Sequence, residues 1–238
     1  MITPAFSTKP IDTKAVLRYN QPDKSGICKV GYFIETKDLI LRNWQEHDAK
    51  ALYEMCLDVI LRKSGIDFYD SVIESQKAIH DWKNNRGFKV IADRKSGSFI
   101  GFINLGEMNR YDGYMEMEYA IAAEYRNRGC AAQAVKQMLE YGFKEMNLSV
   151  IAAWVRSHNL ASISVLEKCS FTFEGRLRKH ARDKSDTLCY SILREEWEKK
   201  YSECAAFGPI CNGDDNLCSQ PIFQGEKSGR ISYRSPFR

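Results

Sequence analysis

Alternating side chains in the middle of the chain predict a β-strand from Tyr114 to Ile121. Side chains two positions apart share one face of a strand. One face is apolar and is expected to contact the core, with Met115, Met117, Tyr119 and Ile121. The opposite face carries Tyr114, Glu116, Glu118 and Ala120. Two carboxylates therefore share one face of this strand.

Apolar residues beyond this strand recur at helical spacing and predict a helix from about Gly129 to Met146. The turn from Arg126 to Ala131 then lies at the start of the helix. Unpaired backbone N–H groups and the positive end of the helix dipole favour an anion there. Gly129 permits a close backbone approach, and Arg126 and Arg128 add positive charge. The pattern therefore predicts a phosphate-binding turn.

The remaining periodicity predicts an α/β (α+β) fold. Strands are expected at Leu39–Trp44, Phe88–Asp93, Ser98–Leu105, Leu148–Val155, Phe171–Lys179 and Thr187–Leu193. Helices are expected at Glu46–Leu61, Ser71–Asn84, Asn159–Cys169 and, as a closing turn, Arg194–Tyr201. Because helices interleave with mostly antiparallel strands, we expect a mixed, mostly antiparallel central sheet flanked by helices. The sequence alone leaves the strand order open.

Composition narrows the class of protein. The chain has 238 residues, of which 44% are hydrophobic, and could bury a substantial core. No apolar run approaches the length of a membrane span, and the N-terminus lacks the pattern of a secretory signal, so a cytoplasmic protein without membrane contact is expected. The net charge of +4 comes from interspersed acidic and basic residues, which argues against direct nucleic-acid binding. Eight cysteines are expected to be reduced, and four scattered histidines show no metal-ligand spacing.

Both ends of the chain differ from its middle. Residues 1–34 hold three prolines and no sustained periodicity, which predicts an N-terminal extension. A domain is expected over residues 35–201, followed by a C-terminal tail at 202–238. Cys204, Cys211 and Cys218 are evenly spaced in this tail, but they lack a C-x-x-C pair, so a zinc site is not expected.

Several segments resemble a known family. Arg126-x-x-Gly129-x-Ala131 resembles the (Gln/Arg)-x-x-Gly-x-(Gly/Ala) signature of the GCN5-related N-acetyltransferases, abbreviated GNAT. The segment from Asn159 to Phe171 is similar to N-x-A-S-x-x-V-L-E-K-x-G-F of the ribosomal-protein N-acetyltransferase-like (Rim-type) branch. Leu39–Trp44 and Asp186–Trp197 also fit. The resemblance covers roughly residues 35 to 200.

This resemblance implies a fold and a cofactor site. Two central strands should diverge, and the pantetheine arm of acetyl-CoA, a co-substrate, should enter the gap. The residues implied to bind it are Ala120, Ile121, Arg126, Asn127, Arg128, Gly129, Cys130, Ala131, Ala132 and Asn159. As alternatives, Asn159 could be only a helix cap, and the two arginines only solvated surface charge. Cys130 lies at a helix N-terminus beside arginines, where a thiol pKa falls, although small-residue packing explains it better than a covalent role.

Direct acetyl transfer requires an oriented, neutral amine and no enzyme nucleophile. Glu116 and Glu118 are the candidate general bases, because a partly desolvated carboxylate beside another has a raised pKa. Glu118 stands where relatives carry Gly, and both carboxylates could instead face solvent. The resemblance also implies that Tyr190 protonates the departing thiolate, although it could be a core aromatic.

The acceptor remains open at this point. A primary amine is expected, either a protein N-terminus or a small amine such as an aminoglycoside-like drug or a polyamine, and the acidic neighbourhood suits a cation. A homodimer is possible. The rival hypothesis is a non-catalytic module that binds and senses CoA. Ser170 replaces the Gly usual after its helix, where a left-handed residue other than Gly would cost roughly 1 kcal/mol.

Overall fold

The computed structural model describes residues 34–36, 38–66, 69–107 and 111–206, without the side chains of 34, 35 and 201–206. The extension predicted at 1–34 and the tail predicted at 202–238 therefore lie almost wholly outside the described residues, and so do Cys211 and Cys218. Within that described part, no helix has the length and apolar character needed to cross a membrane.

The described strands form one sheet. In chain order they are β1 (Ile34–Glu35), β2 (Leu39–Arg42), β3 (Phe88–Asp93), β4 (Phe99–Glu107), β5 (Tyr114–Ile121), β6 (Val150–Arg156), β7 (Thr172–Leu177) and β8 (Thr187–Leu193). In space their order is β1-β2-β3-β4-β5-β6-β8-β7. β5 and β6 run parallel, and the other neighbouring pairs run antiparallel. The predicted mixed, mostly antiparallel sheet is confirmed.

The parallel pair β5–β6 is joined for only part of its length. Tyr114, Met115 and Glu116 pair with Val150, Ile151 and Ala152. Both strands then continue, β5 to Ile121 and β6 to Arg156, without further pairing between them. On their outer sides both remain fully paired, β5 with β4 and β6 with β8. The sheet therefore splits in the middle, as the resemblance implied.

Helices cover both faces of this sheet. They are α1 (Ala49–Cys56), α2 (Val59–Ser64), α3 (Val72–Trp82), α4 (Cys130–Lys144), α5 (Leu160–Lys168) and α6 (Arg194–Ala206). α4 buries Ala134, Val135, Met138 and Leu139 against the apolar face of β5, where Met117 and Ile121 belong to the same core. The opposite face supports a second, aromatic core, which contains Trp44, Phe88, Phe102 and Ala120.

The face of β5 that carries the two carboxylates therefore does not simply face solvent. Ala120 on that face is buried in the second core, together with α1 residues. Glu118 is exposed and Glu116 is half-buried. Glu116 lies where the two central strands are still joined.

The prediction of one continuous helix over Glu46–Leu61 is wrong. The chain forms a 3₁₀ turn at Glu46–Asp48, then α1, and then the separate helix α2. Asp58 is the reason, because its backbone is extended and its carboxylate accepts a hydrogen bond from the N–H of Ile60 at 2.7 Å. That contact is an N-cap, which starts a new helix. The closing helix α6 also runs further than predicted, to Ala206.

Candidate functional site

A cleft of about 530 Å³ lies where β5 and β6 separate. Its walls come from β5, β6, the turn before α4 with the first residues of that helix, α5 and the short helix α2. The predicted residues that line it are Glu116, Glu118, Ala120, Ile121, Arg126, Asn127, Gly129, Cys130, Ala131, Ala132 and Asn159. The structure therefore brings together residues that lie as much as 43 positions apart, from Glu116 to Asn159.

The turn before α4 has the backbone that an anion site requires. Gly129 is the N-cap of α4 and is left-handed, with φ 76° and ψ 1°. Asn127 is also left-handed, with φ 60°. No described side chain caps this end of α4, so its first N–H groups are available to a ligand. A Cβ at Gly129 would meet only Gln133, 4.0 Å away, so the surface above the turn is open.

The two arginines of the turn have different surroundings. Arg126 is half-buried, and its Nε donates to the carbonyl oxygen of Ile121 at 3.1 Å. Its Nη2 lies 2.5 Å from a carboxylate oxygen of Asp58. Arg128 is exposed and lies over the ring of Tyr125, 5.6 Å from its centroid. Arg126 is therefore not the solvated surface charge that the sequence left open, because it joins the turn to the segment before α2.

The prediction that the surroundings of Cys130 lower its thiol pKa is wrong. Its side chain is buried in the core beneath α4. Burial raises the pKa of Cys130, and this effect outweighs the opposing contributions of its own backbone N–H and of Arg128. The thiol is therefore kept protonated, which is consistent with small-residue packing.

Asn159 both caps α5 and contacts another wall of the cleft. Its Oδ1 accepts from the N–H of Ser162 at 3.1 Å, which is the cap. Its Nδ2 donates to the Oγ of Ser64, at the end of α2, at 3.3 Å. Ser162 in turn bonds the hydroxyl of Tyr119 at 2.8 Å. Burial raises the pKa of Tyr119 to about 12 despite that hydrogen bond, so this phenol stays neutral.

Glu116 has the electrostatic character of a general base. Burial raises its pKa, and the charge of neighbouring Glu118 raises it further. A carboxylate with a raised pKa accepts a proton more readily from an ammonium group. Because Glu116 also lines the cleft, it can act on a group bound there.

Tyr190 lies in the core and does not line the cleft. It is buried in the core beneath α4 and packs against Phe173, with ring centroids 5.4 Å apart. Burial raises the pKa of Tyr190, with a smaller contribution from Glu167. It pairs with Ala153, a residue of the cleft wall, but it is not itself part of that wall. Tyr190 therefore has the position of a core aromatic, which was the alternative to an acid role in the sequence analysis. The acid role of Tyr190 stays a prediction.

Sequence reasoning missed one wall of the cleft. Ile60, Leu61 and Ser64 of α2 line it, and Asp58 contacts Arg126. A signal for this wall was present, because an Asp followed by an apolar run is a typical helix start. The apolar residues before and after Asp58 continue at helical spacing, so the pattern indicated one helix and not a new helix start at Asp58. No cluster of three or more potential metal ligands exists among the residues described.

Comparison with known proteins identifies the type of domain. A family model described as an acetyltransferase (GNAT) domain matches residues 38–172. The Bacillus subtilis protein named "Uncharacterized N-acetyltransferase YnaD" is 32% identical over 172 residues, which cover 69% of this chain and 98% of that protein. The spermidine N(1)-acetyltransferase of Escherichia coli K12 is 30% identical over 138 residues, covering 58% of this chain and 63% of that enzyme.

Solved structures agree with this comparison. An acetyltransferase (GNAT family) from Bacillus anthracis superposes with a TM-score of 0.64 at 25% identity, covering 69% of this chain and 99% of that one. The spermidine N-acetyltransferase of Vibrio cholerae, solved in complex with CoA and spermine, superposes with a TM-score of 0.61 at 22% identity, covering 68% of this chain and 99% of that one. At 22% identity, the likeness to the Vibrio cholerae enzyme shows a shared fold alone.

Proposed function

Because this chain belongs to the GNAT acetyltransferase family, we propose that it transfers an acetyl group from acetyl-CoA to a cationic primary amine bound beside Glu116. One observation carries the proposal. The open turn at the start of α4 and the raised-pKa carboxyl of Glu116 line the same cleft, at the split between β5 and β6.

The residues of the turn fit the diphosphate of acetyl-CoA. The uncapped N–H groups at the start of α4 would hold its oxygens, and the open space above Gly129 admits a close approach. Ala120 and Ile121 have no β6 partner, which supports them as the strand positions that would hold the amide-bearing pantetheine arm. The carbonyl oxygen of Ile121 already accepts from Arg126, so the N–H of Ile121 would be its contact. Acetyl-CoA supplies the activated acyl group, a thioester.

The chain's own residues then prepare the amine. Glu116 accepts a proton from the acceptor's ammonium group, directly or through water, and leaves a neutral nucleophile. Glu118 raises the proton affinity of Glu116 and adds negative charge at the cleft. Holding both reactants in one cleft lowers the activation barrier further, because aligned approach can supply about 7–11 kcal/mol of the barrier in favourable cases.

The two carboxylates on β5 favour a cationic acceptor beside them, whereas Arg126, Arg156 and Lys168 add positive charge elsewhere in the lining. Glu116 and Glu118 line the cleft directly. Burial raises the pKa of Cys189, and the charges of Glu116 and Glu174 raise it further, so Glu174 adds to the acidic character nearby. Spermidine acetyltransferases are among the relatives, so polyamines are the first class to test. A protein N-terminus remains the second class, since a relative is named a putative ribosomal N-acetyltransferase.

Isothermal titration with acetyl-CoA, followed by an amine panel, tests the proposal. The panel contains spermidine, a lysine-like amine and a peptide with a free N-terminus, and release of free thiol is measured. Binding with turnover of at least one amine supports the enzyme. Binding without turnover would favour the CoA-sensing alternative, and no binding would overturn both. An α-amino group with a pKa near 8 should react at lower pH than an amine near 10.4.

A further inference from the structure

The segment from Asp58 to Ile66, called here the α2 bridge, crosses the cleft from one side to the other. At its start, Asp58 contacts Arg126, which follows β5 in the chain. At its end, Ser64 accepts a hydrogen bond from Asn159, which follows β6. The α2 bridge thus connects the two sides of the sheet where the strands themselves no longer pair.

The chain after α2 also fits closely against β6. Gly65 is left-handed, with φ 95°, and a Cβ there would lie 2.8 Å from the guanidinium of Arg156. Glycine therefore allows the end of the α2 bridge to contact β6. Arg156 is held in turn by Asp183, 3.1 Å away.

Apolar packing alone holds the α2 bridge weakly. α2 has six residues, and only Leu61 is buried. Val59 and Ile60 remain 60% and 63% exposed. A helix of this length is unstable by itself in water, because nucleation costs more than so few hydrogen bonds return. Leu61 and Ile66 pack against the second core, and the polar contacts at the two ends add to what holds the α2 bridge in position.

Asp58 has two tasks in these contacts. Its Oδ1 caps α2 through the N–H of Ile60, and its Oδ2 faces Arg126. Burial opposes the charge of Asp58, but the hydrogen bonds from Ile60 and Arg126 outweigh it and keep its pKa below the usual value. The carboxylate is therefore ionised at neutral pH and available for the ion pair.

We propose that Asp58 is a positioning residue, which holds the α2 bridge across the cleft through Arg126 so that Ile60 and Leu61 form a fixed wall for the amine acceptor. This rests on the proposed function, in which the acceptor occupies that cleft. Arg126 serves this wall as well as the cofactor turn. Loosening the contact weakens acceptor binding and leaves the diphosphate site intact.

Asp58→Asn separates the ion pair from the helix cap, because Asn is as good an N-cap as Asp. With spermidine as acceptor, its KM should rise roughly three- to fivefold, the range of a partly exposed ion pair. The kcat and the Kd for acetyl-CoA should change less than about twofold. Glu54→Gln, on the exposed side of α1, removes an equal charge from the neighbouring helix and should leave all three values unchanged.

Hydrogen exchange of the free protein provides a readout that needs no turnover. The amides of Arg62, Gly65 and Ile66 donate within the α2 bridge and should exchange faster in Asp58→Asn, while those of α4 should not change. Ser64→Ala removes the contact at the other end and should speed the same amides. Unchanged exchange in both variants would overturn the proposal.

Two kinetic outcomes would also contradict it. A weaker Kd for acetyl-CoA in Asp58→Asn, with the acceptor KM unchanged, would mean that Asp58 only orients Arg126 for the phosphates. A tighter Kd with an unchanged KM would mean that Asp58 competes with them. If the unaltered protein binds no acetyl-CoA, the proposed function fails, but exchange in the free protein still decides whether Asp58 holds the α2 bridge.

Discussion

Glu116 of β5 and Ala152 of β6 form the last pair before the two central strands separate. The candidate base therefore has a paired strand on both sides, and it lines the cleft that opens where the pairing of β5 with β6 ends. This arrangement places a carboxylate that projects from a paired strand at the inner end of the cleft. Catalytic groups on paired strands are held more firmly than groups on loops.

Glu116→Gln should lower kcat/KM for the amine acceptor by about 100-fold or more, because a general base contributes that much. The Kd for acetyl-CoA should be unaffected, since the turn before α4 is unchanged. Steady-state kinetics and calorimetry measure the two quantities. An equal loss in Glu118→Gln alone would assign the base to Glu118 instead.

The pH profile should move when Glu118 is neutralised. Burial and Glu118 together raise the pKa of Glu116, so removing the charge of Glu118 lowers that pKa. The acidic limb of kcat/KM should therefore shift to lower pH in Glu118→Gln. A limb that stays in place would show that it reports another group.

Glu116→Gln should also stabilise the folded protein at neutral pH. A carboxyl whose pKa is raised by folding destabilises the fold above that pKa, where its charge is desolvated, and no longer does so once it is protonated. The gain should therefore shrink as the pH falls through the raised pKa. Denaturant unfolding at several pH values measures it, and a loss of stability at neutral pH would contradict the prediction.

Gly129→Ala should weaken acetyl-CoA binding by at least about tenfold, because its Cβ would project into the open space above the turn. It should also lower the free energy of unfolding by about 1 kcal/mol, the cost of a left-handed alanine. Gly97→Ala is the matched control, since Gly97 is left-handed and its Cβ position is equally open. It should lose similar stability and keep its affinity for acetyl-CoA.

Lys89 should make stability rise with pH in the alkaline range. It is 1% exposed, and its Nζ donates to Asn43 at 2.7 Å. Burial, with a smaller contribution from Arg86, lowers the pKa of Lys89 from 10.5 to about 8. The unfolded chain binds its proton more tightly than the folded one, so stability increases between pH 8 and 10.5.

Between pH 8 and 10.5 the free energy of unfolding should increase by roughly 3 kcal/mol. Lys89→Met should abolish this increase and should raise the free energy of unfolding below pH 8. Lys77→Met, on the exposed side of α3, is the control and should keep the pH dependence. Denaturant unfolding across this pH range provides the measurement. A flat profile in the unaltered protein would show that Lys89 keeps its proton inside the fold.

Ser170→Gly should stabilise the protein by up to about 1 kcal/mol. Ser170 is left-handed, with φ 67°, as predicted from its position after α5. The N–H of Phe171 donates to the carbonyl oxygen of Leu166, and the N–H of Ser170 to that of Glu167, which together form a Schellman motif. Ala161→Gly, on the exposed side of α5, is the control and should cost about 1 kcal/mol. Thermal unfolding distinguishes the two.

Local patterns predicted most of the elements but not their arrangement. The alternation in β5 and the helical spacing after Gly129 locate both elements to within two residues of their observed ends. The position of β8 between β6 and β7 has no such signal, because periodicity records which face is buried and not which strand is the neighbour. Asp58 shows the same limit, because its role depends on an arginine 68 positions away.

The candidate site was predictable where backbone conformation determines it. Gly129 is left-handed at the start of a helix, and the residue type alone indicates that possibility. The pKa of Cys130 was not predictable, because its direction depends on how far the side chain is buried. Position along a helix gives the sign of the dipole's effect, whereas burial depends on tertiary packing.

The split between β5 and β6 gives this protein a sheet edge in its interior. Exposed edges ordinarily invite pairing with another polypeptide. Here α2 and the start of α5 stand beside the edge, because Ser64 and Asn159 are joined across it. A slender ligand with amide groups can add to such an edge as a strand would.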